Sequence, residues 1–101
     1  MSNSEITQRV EIAVHRALQE ALELDADEIT PGASIIDDLG AESIDLLDIR
    51  FRLEKDLDLR ITNEDLVGAF SGADTVEKFR KAFTVEAMCL YLAKRMEADG
   101  G

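Results

Sequence analysis

Apolar residues recur at helical spacing in three segments of this chain, and this periodicity limits its possible folds more than any other feature. The segments cover residues 4–22, 43–56 and 84–97. In each of them, apolar positions three and four residues apart would share one face of a helix and could be buried together. Aromatic residues make up only 5% of the chain and there is one proline, so an aliphatic core between helices is expected. The pattern therefore predicts an all-α fold.

The segments between the three helices complete the predicted architecture. The first connection, Glu23–Glu42, is long for a helical bundle, but its isoleucines should hold it against the core. A short third helix is expected to begin at Thr62, and further helical turns are expected after a cap at Asp74 or Thr75. We therefore expect a four-helix bundle with three longer helices, one short third helix and an extra helical segment before the last, in one domain over 1–101.

The charge of the chain narrows its expected partners. It has 22 acidic and 11 basic residues, which give a net charge of −11. The phosphates of nucleic acids and of anionic lipids would repel such a chain, whereas basic protein surfaces would attract it. The first residues carry no apolar signal-peptide core and no apolar run is long enough to cross a membrane, so a cytoplasmic chain without membrane insertion is expected. Nothing in the sequence suggests an obligate dimer, so a monomer is expected.

Few residues of the chain could perform chemistry. A single cysteine, Cys89, cannot form an internal disulfide, and its place on an apolar stripe predicts a core residue. A single histidine, His15, leaves no cluster for a metal ion and no partner for a nucleophile. No acid–base constellation is visible either, so the sequence does not predict an enzyme.

The second helical segment carries more apolar residues than packing against a core requires. Its first stripe is Leu46, Ile49, Leu53 and Leu57, and its second stripe is Ile44, Leu47 and Phe51. One stripe is enough to pack a helix into a bundle. The second stripe is either additional core, which is the more common case, or a surface that binds a partner or a ligand.

A serine at the start of this segment is the residue best placed for modification. The stretch DDLGAESIDLLDI, residues 37–49, places a turn at Gly40 and then Ser43 in the first turn of a helix. Unpaired N–H groups and the positive end of the helix dipole favour a phosphate at such a position. The alternative is that Ser43 only caps the helix.

This stretch resembles the phosphopantetheine attachment site of acyl carrier proteins. The family pattern is an acidic residue, leucine and glycine, two further residues, a serine and a leucine-like residue. The usual triplet Asp-Ser-Leu is Glu42-Ser43-Ile44 here. The segments EITPGASIIDDLG, ITNEDL and TVEAMCLYLAKRM are similar to the preceding loop, the short third helix and the last helix of the family, so the resemblance covers most of the chain.

The resemblance implies a function and a set of site residues. A phosphopantetheinyl transferase would attach 4'-phosphopantetheine from coenzyme A to Ser43. The arm would then present acyl groups, as thioesters, to enzymes of fatty-acid or specialised lipid biosynthesis. By position, partner enzymes with basic patches would contact Glu42, Ile44, Asp45, Leu47, Asp48 and Phe51. The residues that would face an acyl pocket inside the bundle are Leu46, Ile49 and Leu53.

Two features depart from the family pattern. Arg50, Arg52 and Lys55 lie on the second helix, which is usually almost wholly acidic. They indicate either ordinary pairing, for example of Arg52 with Asp48, or an altered choice of partner. About fifteen additional residues, 67–81, separate the short helix from the last one, and they either enlarge the core or adapt an acyl pocket or a partner surface.

Two other functions remain open from the sequence alone. One is a discrete carrier of aminoacyl or polyketide groups, which uses the same thioester chemistry. The other is an acidic helical module that binds proteins and is never modified.

Overall fold

The all-α fold predicted from periodicity is confirmed in the computed structural model, which describes residues 3–62, 64–65 and 75–99. The helices are α1 (Asn3–Leu22), α2 (Ser43–Leu57), α3 (Val76–Ala82) and α4 (Val85–Asp99), with a 3₁₀ turn at Ala26–Glu28. Over the described ranges, β structure is limited to one isolated bridge between Ser34 and Thr84. The last helix continues to Asp99, two residues beyond the predicted end.

Helix α1 packs against both α2 and α4. On the predicted apolar face of α1, Ile6, Val10, Ala13, Val14 and Ala17 are buried, whereas Ala21 and Leu22 are only partly buried. Leu18, which the predicted stripe did not include, is fully enclosed. Ile49 and Leu53 of α2 and Leu92 of α4 meet them there. The three longer helices thus bury most of the apolar stripes that the sequence predicted, while Leu22, Leu46 and Cys89 are only partly buried.

The long connection between α1 and α2 belongs to the core. Ile29 and Ile35 are buried, and the backbone N–H of Ile35 donates to the Phe83 carbonyl at 3.0 Å. The N–H of Val85 in turn donates to the Ala33 carbonyl at 3.0 Å. This connection is therefore attached to the junction between α3 and α4, and it delivers the chain to the start of α2 in a fixed position.

The predicted short helix and the segment after it are described only in part. The Thr62 hydroxyl accepts the Asp65 N–H, and the Asp65 carboxylate accepts the Thr62 N–H, both at 3.1 Å. Residues 64 and 65 are helical, as the predicted short helix requires, while residue 63 and residues 66–74, with most of the predicted extension, lie outside the described residues. Thr75 caps α3 by accepting the Lys78 N–H at 3.1 Å, which confirms the extra helical segment before the last helix.

Candidate functional site

Ser43 is the first residue of α2, and its side chain is exposed. The cap is Glu42, which has an extended backbone and whose carbonyl accepts the Leu46 N–H at 2.9 Å. The N–H of Glu42 donates to the Asp45 carboxylate at 2.9 Å. The Ser43 hydroxyl forms no hydrogen bond with the described residues, so the hypothesis that Ser43 is only the helix cap is wrong and its oxygen is accessible.

The turn before Ser43 depends on Gly40. Its φ is +76°, in the left-handed region that residues with a side chain avoid. The Gly40 N–H donates to the Ile36 carbonyl at 3.2 Å and the Ala41 N–H to the Ile35 carbonyl at 3.1 Å. The hydrogen bonds of this turn, together with the buried side chain of Ala41, hold the start of α2 against the core.

The position of Ser43 suits a phosphate ester. The first N–H groups of a helix lack carbonyl partners within it, and the helix dipole places partial positive charge at that end. A phosphate on the Ser43 oxygen would lie beside this charge while remaining in solvent. The exposed hydroxyl and the helix start therefore fit a 4'-phosphopantetheine arm, which is joined to its carrier through a phosphate.

The second apolar stripe of α2 lies on the surface. Ile44 is 72% exposed, Leu47 47% and Phe51 61%. These three residues form an apolar band that starts next to Ser43 and follows the same helix away from it. Because all three are exposed, the expectation that they are additional core is wrong, and the band is available for a partner.

The first stripe of α2 faces the interior and lines an apolar cavity of about 80 Å³. Its walls are Leu46, Ile49, Arg50, Leu53, Ile61, Phe79, Phe83 and Met88. The three predicted pocket residues, Leu46, Ile49 and Leu53, are thus brought together at one cavity. Phe79 belongs to the extension, and its ring stacks on that of Phe83 with centroids 5.4 Å apart.

The walls of the cavity include one charged side chain and two apolar residues that the sequence did not predict as pocket residues. Arg50 lines it, and the Arg50 guanidinium lies 5.5 Å from the centre of the Phe51 ring. Ile61 lies in the connection after α2, and Met88 lies on α4. Both are apolar residues far from Ser43 in sequence, and no local pattern assigns them to a wall shared with α2.

The three predicted acidic contacts have different surroundings. Glu42 is exposed, whereas Asp45 holds the N–H of Glu42. Asp48 accepts a hydrogen bond from Arg52 at 2.9 Å, as the spacing predicted, and Arg52 also pairs with Glu20 of α1 at 2.7 Å. The bond with Asp48 is the main reason that the pKa of Arg52 is raised further above its ordinary value. Arg52 therefore links α2 to α1.

Cys89, predicted to be a core residue, is half-buried on α4 and packs against the core without belonging to it. Burial, followed by the charges of Glu11 and Glu86, raises the pKa of its thiol to about 11. The thiol is therefore protonated near neutral pH and is a poor nucleophile. Among the residues that the structure describes, no three metal-ligating side chains are grouped to bind an ion, and no helix is long and apolar enough to span a bilayer.

Comparisons with known proteins agree with this site. A family model described as a phosphopantetheine attachment site matches residues 13–83. An acyl carrier protein of Clostridium perfringens is 38% identical over 60 residues, which cover 59% of this chain and 79% of that protein. An acyl carrier protein of Desulforapulum autotrophicum is 33% identical over 73 residues, which cover 71% of this chain and 95% of that protein. The residues matched by the family model include Ser43 and the cavity walls from Leu46 to Phe83.

Proposed function

Because the chain belongs to the acyl carrier protein family, whose members hold acyl groups on covalent 4'-phosphopantetheine, we propose that Ser43 is the attachment residue. The observation that carries this proposal is the exposed hydroxyl at the first position of α2, where Glu42 and Asp45 perform the capping. A side chain that the helix needed as its own cap would be held by hydrogen bonds to the backbone. Ser43 is free of that constraint.

The proposed attachment needs only the Ser43 oxygen from this chain. In the active site of a phosphopantetheinyl transferase with magnesium, that oxygen forms a bond to the phosphorus that bears the pantetheine arm in coenzyme A. The bond from that phosphorus to the departing nucleotide breaks, adenosine 3',5'-bisphosphate leaves, and the serine proton is lost to a base of the transferase. Once attached, the arm supplies a thiol that carries an acyl group as a thioester. The enzymes that receive the carrier then perform the acyl chemistry.

Partner enzymes would approach along α2. The apolar band of Ile44, Leu47 and Phe51 would pack against an apolar patch of the enzyme, and Glu42 would face a basic residue there. Asp45 and Asp48 would add negative charge to the same surface while they also stabilise the helix. Charge attraction raises the rate of encounter more than it raises affinity, which suits a carrier that must leave each enzyme after use.

The acyl group would enter the cavity behind α2. Its walls are apolar apart from Arg50, which favours aliphatic acyl groups over aminoacyl groups, since a buried ammonium would lose its hydration. A water molecule takes about 30 Å³ of liquid, so a cavity of about 80 Å³ holds only a few methylene groups as it stands. Longer chains would require Phe79 and Phe83 to move apart from α2. We therefore propose cargo from fatty-acid or specialised lipid biosynthesis.

The decisive experiment is modification followed by intact mass measurement. The chain is incubated with coenzyme A, magnesium and a broad-specificity phosphopantetheinyl transferase. We expect a mass gain of one phosphopantetheine group, which is abolished in Ser43→Ala. Ser4→Ala is the matched control, because Ser4 is an exposed serine in the first turn of α1 and its loss should leave modification intact.

Two outcomes would contradict the proposal. Modification of the Ser43→Ala variant would place the arm on another residue. Failure of several transferases to modify the folded chain would favour a protein-binding module that carries no arm.

A further inference from the structure

A groove between α1 and α2 concentrates positive charge in this acidic chain. We call it the α1–α2 groove and define it by Arg16 and Glu20 of α1 together with Phe51, Arg52, Lys55 and Asp56 of α2. Its volume is about 430 Å³. Three cations and two carboxylates line it, which is an excess of one positive charge among its lining side chains in a chain that carries −11.

Only part of this positive charge is neutralised within the molecule. Arg52 is held by Asp48 and Glu20, with N–O distances of 2.9 and 2.7 Å. Arg16 and Lys55 are exposed, and neither forms an ion pair with any described residue. These two side chains, one from each helix, are therefore the cations of the groove that can meet a negatively charged group from outside.

The groove also has apolar surface that continues the band next to Ser43. Phe51 is the last residue of that band and a wall of the groove. Beyond Arg16, a second depression of about 190 Å³ is lined in part by Ile12, which is 60% exposed. A partner that contacts Phe51 along α2 therefore reaches the groove and, past it, a further apolar side chain.

We propose that the α1–α2 groove is a second docking surface, for a segment of a partner enzyme that bears carboxylates and an apolar side chain. The proposal rests on the proposed function, because it assumes that enzymes approach along α2. The carboxylates would pair with Arg16 and Lys55, and the apolar side chain would pack on Phe51.

The consequence is a docking surface with carboxylates next to Ser43 and accessible cations near the other end of the same helix. Lys55 lies twelve positions after Ser43, and a helix rises 1.5 Å per residue, so these two residues lie about 18 Å apart along the helix axis. An enzyme with a uniformly basic patch would be attracted near Glu42 and repelled at Lys55. An enzyme with a basic group near Glu42 and an acidic group near Lys55, at that separation, would be attracted at both ends. Repulsion between like charges, as between Lys55 and a basic enzyme residue, is an effective means of excluding wrong partners.

The test uses the full chain labelled with ¹⁵N and two synthetic peptides. One is an amphipathic helix of leucine, alanine and glutamate, and the other has lysine in place of every glutamate. We expect the glutamate peptide to shift the amide signals of Arg16, Phe51 and Lys55. The lysine peptide should instead shift signals around Glu42.

Paired charge reversals separate a local contact from general repulsion. The double variant Arg16→Glu/Lys55→Glu should weaken binding of the glutamate peptide at least tenfold. The matched control is Lys81→Glu/Lys94→Glu, which changes the net charge equally at exposed positions of α3 and α4 and should leave that binding nearly unchanged. Equal weakening by both double variants would overturn the proposal, as would shifts confined to other parts of the chain or an absence of binding.

Two further measurements separate this proposal from others. Intact mass after incubation with a transferase reports modification of Ser43 in the same variants. Absence of modification would count against the proposed function, while peptide binding would still report on the groove. Sedimentation of the chain alone would reveal a dimer that is lost in Arg16→Glu/Lys55→Glu if the groove binds a second copy, and that result would overturn the proposed partner.

Discussion

Gly40 is the residue whose backbone most strongly determines the turn before Ser43. With φ at +76° it occupies the left-handed region, and a Cβ added there would meet nothing within 4 Å. Replacement by alanine therefore adds backbone strain without a steric clash, and we expect Gly40→Ala to lower the free energy of unfolding by about 1 kcal/mol. Urea denaturation measures this change.

The matched control for Gly40 is Gly32 in the same connection. A Cβ there also meets nothing within 4 Å, and its φ lies outside the left-handed region. We expect Gly32→Ala to be neutral or slightly stabilising, because it only reduces the freedom of the unfolded chain. Equal losses of stability in both variants would show that the φ of Gly40 is not the cause.

For single residues, the sequence correctly predicted that Ser43 lies in the first turn of α2, but it did not predict that Glu42 is the cap of that helix. Asp45 was interpreted only as a partner contact, yet its carboxylate also holds the N–H of Glu42. Sequence spacing did reveal the pair of Asp48 with Arg52, because residues four apart are neighbours on any helix. It could not reveal Glu20 as the second partner of Arg52, since that contact depends on how α1 packs against α2.

At the level of whole elements, the buried residue Ser34 joins the α1–α2 connection to helix α3. The hydroxyl of Ser34 donates to the Arg80 carbonyl at 2.8 Å and accepts the Asp37 N–H at 3.0 Å. The Arg80 side chain pairs with Asp37 at 2.8 Å. Arg80, in the extension, is thus attached directly to Asp37, the first residue of the stretch that resembles the phosphopantetheine attachment site.

Replacement of Ser34 by alanine should loosen this junction. The Arg80 carbonyl and the Asp37 N–H would each lose a part-buried hydrogen bond, and a bond of this kind contributes about 0.5–1.5 kcal/mol. We expect a loss of unfolding free energy in that range and faster hydrogen exchange at the Asp37 amide. Ser43→Ala serves as the control, since the exposed Ser43 hydroxyl has no hydrogen bond in the described structure. An unchanged exchange rate at Asp37 in Ser34→Ala would contradict the assigned role.

The elements divide into those that periodicity predicts and those that it does not. Helices α1, α2 and α4 follow from apolar residues at helical spacing, and Thr75 was identified as a possible cap of α3. The pairing of Ile35 with Phe83 has no local signature, because it joins backbone groups nearly fifty residues apart. The cavity walls Ile61 and Met88 were missed for the same reason.

Over the whole molecule, charge affects folding and docking in opposite directions. The net charge of −11 repels itself in the compact state, while the ion pairs of Arg52, Arg80 and Arg95 oppose that repulsion only locally. Each exposed pair contributes about 0–1 kcal/mol at most, so the excess of carboxylates should dominate. Docking near Ser43, in contrast, gains from the same acidic surface because the expected partners are basic.

Added salt should therefore stabilise the fold and slow the modification of Ser43. The Debye length falls from about 30 Å at 0.01 M to about 10 Å at 0.1 M ionic strength, which screens both self-repulsion and attraction to the transferase. Over that range we expect a higher urea midpoint and a several-fold lower second-order rate of phosphopantetheine transfer. The variant Arg16→Glu/Lys55→Glu has a net charge four units more negative and should show the larger stabilisation. A midpoint that falls with salt would mean that the ion pairs, and not the net charge, dominate the electrostatics of folding.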